Sequence, residues 1–160
     1  MKTAVLAGCV AAAFATGANA EIMYVGSAAV TAASTACGNS ATVGDYARIT
    51  YRPAYPAFGN SGDSYLAYVT TRASFAMTVP ANTFRAGINY SGQSVGSTLN
   101  VASRAGGITA WTQAPATPAT DTSSINVTAT FANFWTISGC TVSLRFNLLR
   151  VKSGPDEVLN

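Results

Sequence analysis

Carboxylates, which often act as acids, bases or nucleophiles in enzymes, are few in this sequence. Between residues 21 and 151 there are only four, Glu21, Asp45, Asp63 and Asp121. A glycosidase needs two carboxylates held at a fixed separation, one of them with a raised pKa, and no local pattern pairs any of these four. Asp63 and Asp121 lie in turn-like stretches, where aspartate usually hydrogen-bonds to nearby backbone. We therefore expect no catalytic acidic pair.

Nucleophilic and metal-dependent chemistry also lacks its usual residues. Histidine, a common general base and metal ligand, is absent from all 160 residues. No glycine-rich phosphate loop or Cys-x-x-Cys spacing occurs, a serine nucleophile would have no histidine as its base, and Lys152 is the only lysine after Lys2. We expect this chain not to be an enzyme, and to use no catalytic residue, metal or cofactor.

One stretch, residues 46–58, combines arginines with aromatic rings and two prolines. Rigid rings can stack on sugars, and a guanidinium group can make paired hydrogen bonds to a carboxylate or phosphate. The alternative is that the rings pack a loop over one end of the fold while the arginines are solvated. If a ligand binds, we expect this region to bind it, through Tyr46, Arg48, Tyr51, Arg52, Tyr55 and Phe58.

Cysteine usage predicts a disulfide. Cys37 and Cys140 are the only cysteines after the first twenty residues, and an even count without metal-ligand spacing favours one bridge over two free thiols. Such a bridge encloses most of the chain, which predicts a single domain over residues 21–151 followed by a flexible tail, 152–160.

Alternation with a period of two residues dominates the sequence and predicts strands. It is cleanest in residues 123–131 and 142–148, where we expect Val127, Phe131, Leu144 and Phe146 to be buried and Cys140 to share their face. The same alternation predicts one long strand over residues 65–79, broken or bulged at 70–72, with its odd-numbered residues on one face. Shorter strands are expected at residues 22–30, 46–52, 83–90, 98–103 and 108–113, separated by turns that include 91–93 and 106–107.

About eight short strands separated by Gly, Asn, Ser and Pro predict an all-β fold with one disulfide. Two architectures fit: a single antiparallel β-sandwich of the jelly-roll or immunoglobulin-like kind, or a small barrel.

The first twenty residues have the pattern of a secretory signal peptide. Lys2 precedes a short apolar run, and the small residues Ala18 and Ala20 stand at −3 and −1 of a cleavage site before Glu21. The run is too short for a membrane-spanning helix, which needs about 20 apolar residues. A second possibility is lipidation at Cys9, within the lipobox-like residues 6–9. The short, alanine-rich signal is typical of bacteria.

These patterns predict an exported, non-enzymatic structural or interaction protein of the periplasm or cell surface, with an unknown protein or a polysaccharide as its partner. Nucleic acid is not an expected partner, because a net charge of +3 in an exported chain gives no support for it. Two alternatives remain: a glycan-binding module that uses the aromatic and arginine surface, and a small outer-membrane β-barrel, since eight strands of about 10 residues fit the length. No transmembrane helix is expected in the mature form.

Export makes a direct prediction about the mature protein. Cleavage after Ala20 should leave Glu21 as the first residue, and mass spectrometry of the natural product should detect that N-terminus. A diacylglycerol adduct on Cys9 would instead establish the lipoprotein.

Overall fold

The computed structural model describes residues 22–54, 62–70, 74–79, 84–95, 102–119 and 121–151. The candidate signal peptide, Cys9 and the tail 152–160 lie outside these ranges. The domain limits, the cleavage site and the lipobox therefore stay predictions.

Within the described ranges, eight antiparallel strands follow one another, each paired with its neighbours in sequence. The last strand also pairs with the first, from Met23 opposite Val151 to Ala33 opposite Val142, and this pairing closes the sheet into a barrel. The predicted all-β antiparallel fold is confirmed, and of the two expected architectures the chain adopts the small barrel. The strands are β1 Met23–Ala33, β2 Tyr46–Arg52, β3 Ser64–Val69, β4 Ser74–Val79, β5 Asn89–Val95, β6 Ala102–Ala114, β7 Ser124–Ala132 and β8 Thr141–Val151.

Strands β7 and β8 alternate as their sequences predict. Their inward side chains are apolar and almost fully buried, while most of the outward side chains are polar. Cys140, which precedes β8, is also fully buried, as its parity with the apolar residues predicts. The buried residues of the two strands are Ile125, Val127, Ala129, Phe131, Val142, Leu144, Phe146 and Leu148.

Aromatic rings fill much of the barrel interior. An eight-stranded barrel is just wide enough for side chains to fill, so large rings suit its interior. The ring of Phe131 has its centroid 5.9 Å from that of Tyr90, 6.4 Å from Trp111, and 6.2 Å from both Phe134 and Phe146. These rings are tilted or edge-to-face, arrangements that add to the stabilisation from burial alone.

The break expected at residues 70–72 falls between β3 and β4, but these two strands pair as an antiparallel hairpin, so the single long strand with one common face is wrong. In β4 the predicted face is correct: Phe75 and Met77 are buried. In β3 it is reversed, since Tyr68 is buried whereas Tyr65 and Val69 are exposed. Alternation holds only within one continuous strand, and the parity that points inward differs between β3 and β4.

Two glycine-containing segments expected to be turns, residues 91–93 and 106–107, lie inside β5 and β6. Gly106 is needed because the ring of Tyr90 occupies the space that a Cβ atom there would require. The Tyr90 hydroxyl donates a hydrogen bond to the carbonyl oxygen of Ala132 at 2.7 Å, which fixes the ring in that place. Residues 102–103, the described part of the strand expected at 98–103, and residues 108–113 lie in a single strand, β6, and in the described part of 83–90 a strand starts only at Asn89.

A disulfide links the two loops at one end of the barrel, as predicted. Cys37 lies in a short 3-10 helical segment after β1, Cys140 directly precedes β8, and their Cα atoms are 4.5 Å apart. Beside the bridge, the hydroxyl of Ser34 donates to the carbonyl of Gly139 at 3.2 Å and accepts from the amide of Thr141 at 2.9 Å. The disulfide and the two hydrogen bonds of the Ser34 hydroxyl therefore join the same two loops.

Replacing Phe131 by Ala should lower the free energy of unfolding by about 3–5 kcal/mol, because it removes a ring packed against four others and leaves a cavity. Urea denaturation measures the difference. The matched control is Thr128→Ala, an outward exposed residue of the same strand, which should stay within about 0.5 kcal/mol of the wild type. Equal effects of the two changes would contradict the packing described for this strand.

Candidate functional site

Strand β2 presents the first part of the predicted ligand-binding surface on the outside of the barrel. Tyr46, Arg48, Thr50 and Arg52 share its outward face, as the alternation predicts. Tyr46 is 74% exposed and Arg48 is exposed as well. An aromatic ring and a guanidinium group therefore stand two residues apart on one wall.

Tyr51 does not belong to this surface, and its inclusion among the predicted site residues was wrong. Its ring is fully buried, with its centroid 6.0 Å from that of Trp111, 6.2 Å from Phe84 and 6.4 Å from Tyr24. The reason is parity, because neighbouring residues of a strand point to opposite faces. Tyr51 packs the interior of the barrel.

Arg52 has a role in holding a loop. Its side chain is half-buried, and Nη2 donates a hydrogen bond to the carbonyl oxygen of Asp63 at 2.8 Å, which ties the end of β2 to the start of β3. Tyr55 and Phe58 fall outside the described residues, so their part in a ligand surface stays a prediction.

Barrel closure brings further polar residues beside Tyr46 and Arg48. In the β1–β2 and β1–β8 registers, Ala29 stands between Tyr46 and Arg145, and Ser27 stands between Arg48 and Asn147. All of these side chains point outward. We call this surface the arginine face, formed by Ser27, Ala29, Tyr46, Arg48, Arg145 and Asn147.

The two arginines of this face lie at opposite corners of a quadrilateral. Strands two apart are separated by about 10 Å and next-but-one residues by about 7 Å, so the Cα atoms of Arg48 and Arg145 are about 12 Å apart. In the part of the chain that the structure describes, neither guanidinium makes a hydrogen bond or an ion pair. Both remain available to a ligand.

Charge is distributed unevenly over the barrel. Within the described strands every charged residue is an arginine. The carboxylates in the described ranges, Asp45, Asp63 and Asp121, all lie in connections between strands. Oδ2 of Asp45, the carboxylate next to Tyr46 in sequence, accepts a hydrogen bond from the amide of Thr42 at 2.8 Å. The described strand walls thus carry positive charge only.

A shallow open depression of about 530 Å³ adjoins the arginine face. It crosses β7, β8 and β1. One side is lined by the polar Ser27, Asn126 and Asn147, and on the other side the apolar Val25 and Leu149 stand opposite each other. Leu149 is 64% exposed. Ser27 and Asn147 belong to both the depression and the arginine face, so the two surfaces are continuous. The depression is lined by Val25, Gly26, Ser27, Ser124, Asn126, Asn147, Leu148 and Leu149.

Two interior tyrosines have perturbed acidity. Burial, with a smaller contribution from the negative charge of Asp45, raises the pKa of Tyr68 to about 12. Burial likewise raises the pKa of Tyr90. Both effects come from a low-polarity interior that disfavours the phenolate, so they report packing and do not mark a catalytic acid or base.

Across the described ranges, no three His, Cys, Asp or Glu side chains come together in a way that could hold a metal ion. No helix there is long and apolar enough to cross a membrane. No family model, curated protein or solved structure matches this chain.

Sequence reasoning missed Arg145 and Asn147 as members of the site. The alternation of β8 marks both as outward, but they are about a hundred residues away from β2 in sequence. Only the pairing of β1 with both β2 and β8 places them beside Tyr46 and Arg48. Only a predicted strand order that paired β1 with both β2 and β8 could have identified them.

Alkaline pH should destabilise the barrel partly through Tyr68. An unfolded tyrosine ionises near pH 10, whereas Tyr68 stays neutral in the fold up to about pH 12. Its contribution to stability is therefore complete below pH 10 and is lost as the pH rises from 10 to 12. Urea denaturation from pH 8 to pH 11.5 should show a smaller loss for Tyr68→Phe than for the wild type, each relative to its own value at pH 8. Parallel losses would contradict the assignment.

Proposed function

We propose that this chain is an exported, non-enzymatic interaction protein of the periplasm or cell surface. The observation that carries the proposal is the packed interior. Inward side chains from separate parts of the chain contact one another inside the barrel, as in the cluster of Tyr51 on β2, Phe84 before β5 and Trp111 on β6. A partner is therefore expected to meet the outer wall or the ends of the barrel.

Export is supported by two independent features. The first twenty residues have the charge, apolar run and small residues of a secretory signal. The Cys37–Cys140 disulfide is compatible with an oxidising compartment outside the cytoplasm, where such bonds form and persist. Neither feature depends on the other, since one is read from the sequence and one from the fold.

The polarity of the barrel wall favours an aqueous setting over the outer-membrane alternative. A membrane barrel presents apolar side chains to lipid and polar ones to its interior. Strands β7 and β8 have the opposite arrangement, with apolar side chains inside. Placing Arg145 against lipid near the bilayer midplane would cost about 2–4 kcal/mol. The outward residues that argue against lipid contact are Ser124, Asn126, Thr128, Thr130, Ser143, Arg145 and Asn147.

A second candidate function is glycan binding, and one observation favours it. Tyr46 exposes 74% of its surface although a tyrosine ring is costly to leave in water, and it stands beside Arg48 on the same wall. Exposed aromatic rings next to polar groups suit the flat apolar face and hydroxyl edge of a sugar.

Cross-linking in cells tests the proposal. A photo-reactive amino acid placed at Tyr46, Val43 or Leu149, three of the most exposed large side chains, should form a discrete adduct in intact cells after irradiation. These outward positions should tolerate the change because they do not pack the core.

The purified protein irradiated alone is the control, since it reveals adducts between copies of the chain. Adducts found only in cells, and strongest at one of the three positions, would support an interaction protein and locate its binding surface. Absence of adducts at all three positions in a correctly exported protein would contradict the proposal.

A further inference from the structure

We propose that the arginine face binds an acidic polysaccharide, a glycan whose sugars carry carboxylate groups. This inference rests on the proposed binding function and names the chemical class of the partner. It adds Arg145 and Asn147 to the surface, and neither residue belongs to the stretch 46–58.

Charge complementarity selects an anionic ligand. Arg48 and Arg145 are both exposed and without a partner among the described residues, and the described strands around them contain no carboxylate. A guanidinium group presents two parallel N–H donors that match the two oxygens of a carboxylate. Two such groups about 12 Å apart suit a linear polymer better than a single small anion, because a small anion cannot reach both.

The remaining residues of the face favour a sugar over other anionic partners. Asn147 offers both donors and acceptors for hydroxyl groups, and Asn126 stands beside it on β7 in the next position of the same row. Tyr46 supplies an exposed ring at a third corner of the quadrilateral, opposite Asn147. Between the corners, Ser27 and Ala29 have short side chains, so an extended chain can lie close to β1.

An anionic membrane would present a different requirement. Lipid headgroups attract clusters of cations together with apolar side chains that enter the bilayer. The cross-strand neighbours of the two arginines are instead Ser27, Ala29, Thr128 and Val69, and Val69, 41% exposed, is the one large apolar side chain among them. The polysaccharide is therefore the partner for which the surface is better suited.

The experiment measures affinity for polygalacturonate, a linear polymer with a carboxylate on every sugar, by affinity electrophoresis of the mature protein. The same polymer after methyl esterification of its carboxylates is the matched ligand control. Arg48→Gln and Arg145→Gln should each weaken binding by about threefold to fivefold, and the double variant by more than tenfold. Tyr46→Ala should weaken it by about twofold to tenfold.

Arg85→Gln is the matched protein control. Arg85 is exposed and lies before β5, on the side of the barrel opposite β1. Its replacement by Gln removes the same positive charge as the replacement of Arg48 or Arg145. Binding should be unchanged by this substitution and should be lost on methyl esterification. All four replaced side chains are exposed, and circular dichroism should confirm that each variant keeps the β fold.

Other results would overturn the inference. Equal weakening by Arg85→Gln and Arg48→Gln would mean that net charge alone attracts the polymer. Binding to phosphatidylglycerol vesicles but not to polygalacturonate would assign the face to a membrane. No binding to the polymer, together with a protein adduct at Tyr46 in the cross-linking experiment, would overturn the glycan and leave the proposed interaction function standing.

Discussion

The pairing of β1 with β8 is the constraint on which the rest of this structure depends. A sheet of eight strands with one apolar face could lie open, but its two edges would then expose unpaired amide and carbonyl groups. Closure removes both edges and sets the diameter of the interior. At eight strands that interior is just wide enough for side chains, so packed rings such as Phe131 and Phe146 become the filling. The same closure creates the outer wall on which Arg145 and Arg48 come together.

The disulfide and the hydrogen bonds of Ser34 lie near the same β1–β8 pairing. Every other pairing joins strands that follow one another in sequence, so each needs only a short connection to form. The β1–β8 pairing has to bring together the two ends of the domain, which costs more chain entropy. Cys37 and Cys140 lie at one end of this pair of strands, and Ser34 adds hydrogen bonds beside them. In the chain-entropy account, a loop of about 100 residues closed by a disulfide is stabilised by up to about 4.7 kcal/mol.

Local alternation was enough to predict the class of fold and the buried residues of β7 and β8, because these follow from the two-residue period of a strand, and the even count of cysteines predicted the disulfide. Alternation failed where the inward parity differed between two neighbouring strands, as at Tyr68 in β3. The prediction of a turn at residues 106–107 also failed, because Gly106 makes room for the ring of Tyr90 and does not end a strand. For the candidate site, the outward positions of Tyr46 and Arg48 were predictable, whereas Tyr51 was misplaced by treating a cluster in sequence as a cluster in space. Arg145 was out of reach because its proximity to Arg48 depends on a long-range pairing.

The position of Met23 opposite Val151 has a consequence for the connectivity of the domain. The first and last strands begin and end side by side, so a short peptide could join them without disturbing any strand pair. The chain could then be opened at a connection elsewhere, such as the one between β3 and β4, and every residue would keep its neighbours. The order in which these strands are synthesised is thus separable from the arrangement they adopt, and circular permutation is compatible with this barrel.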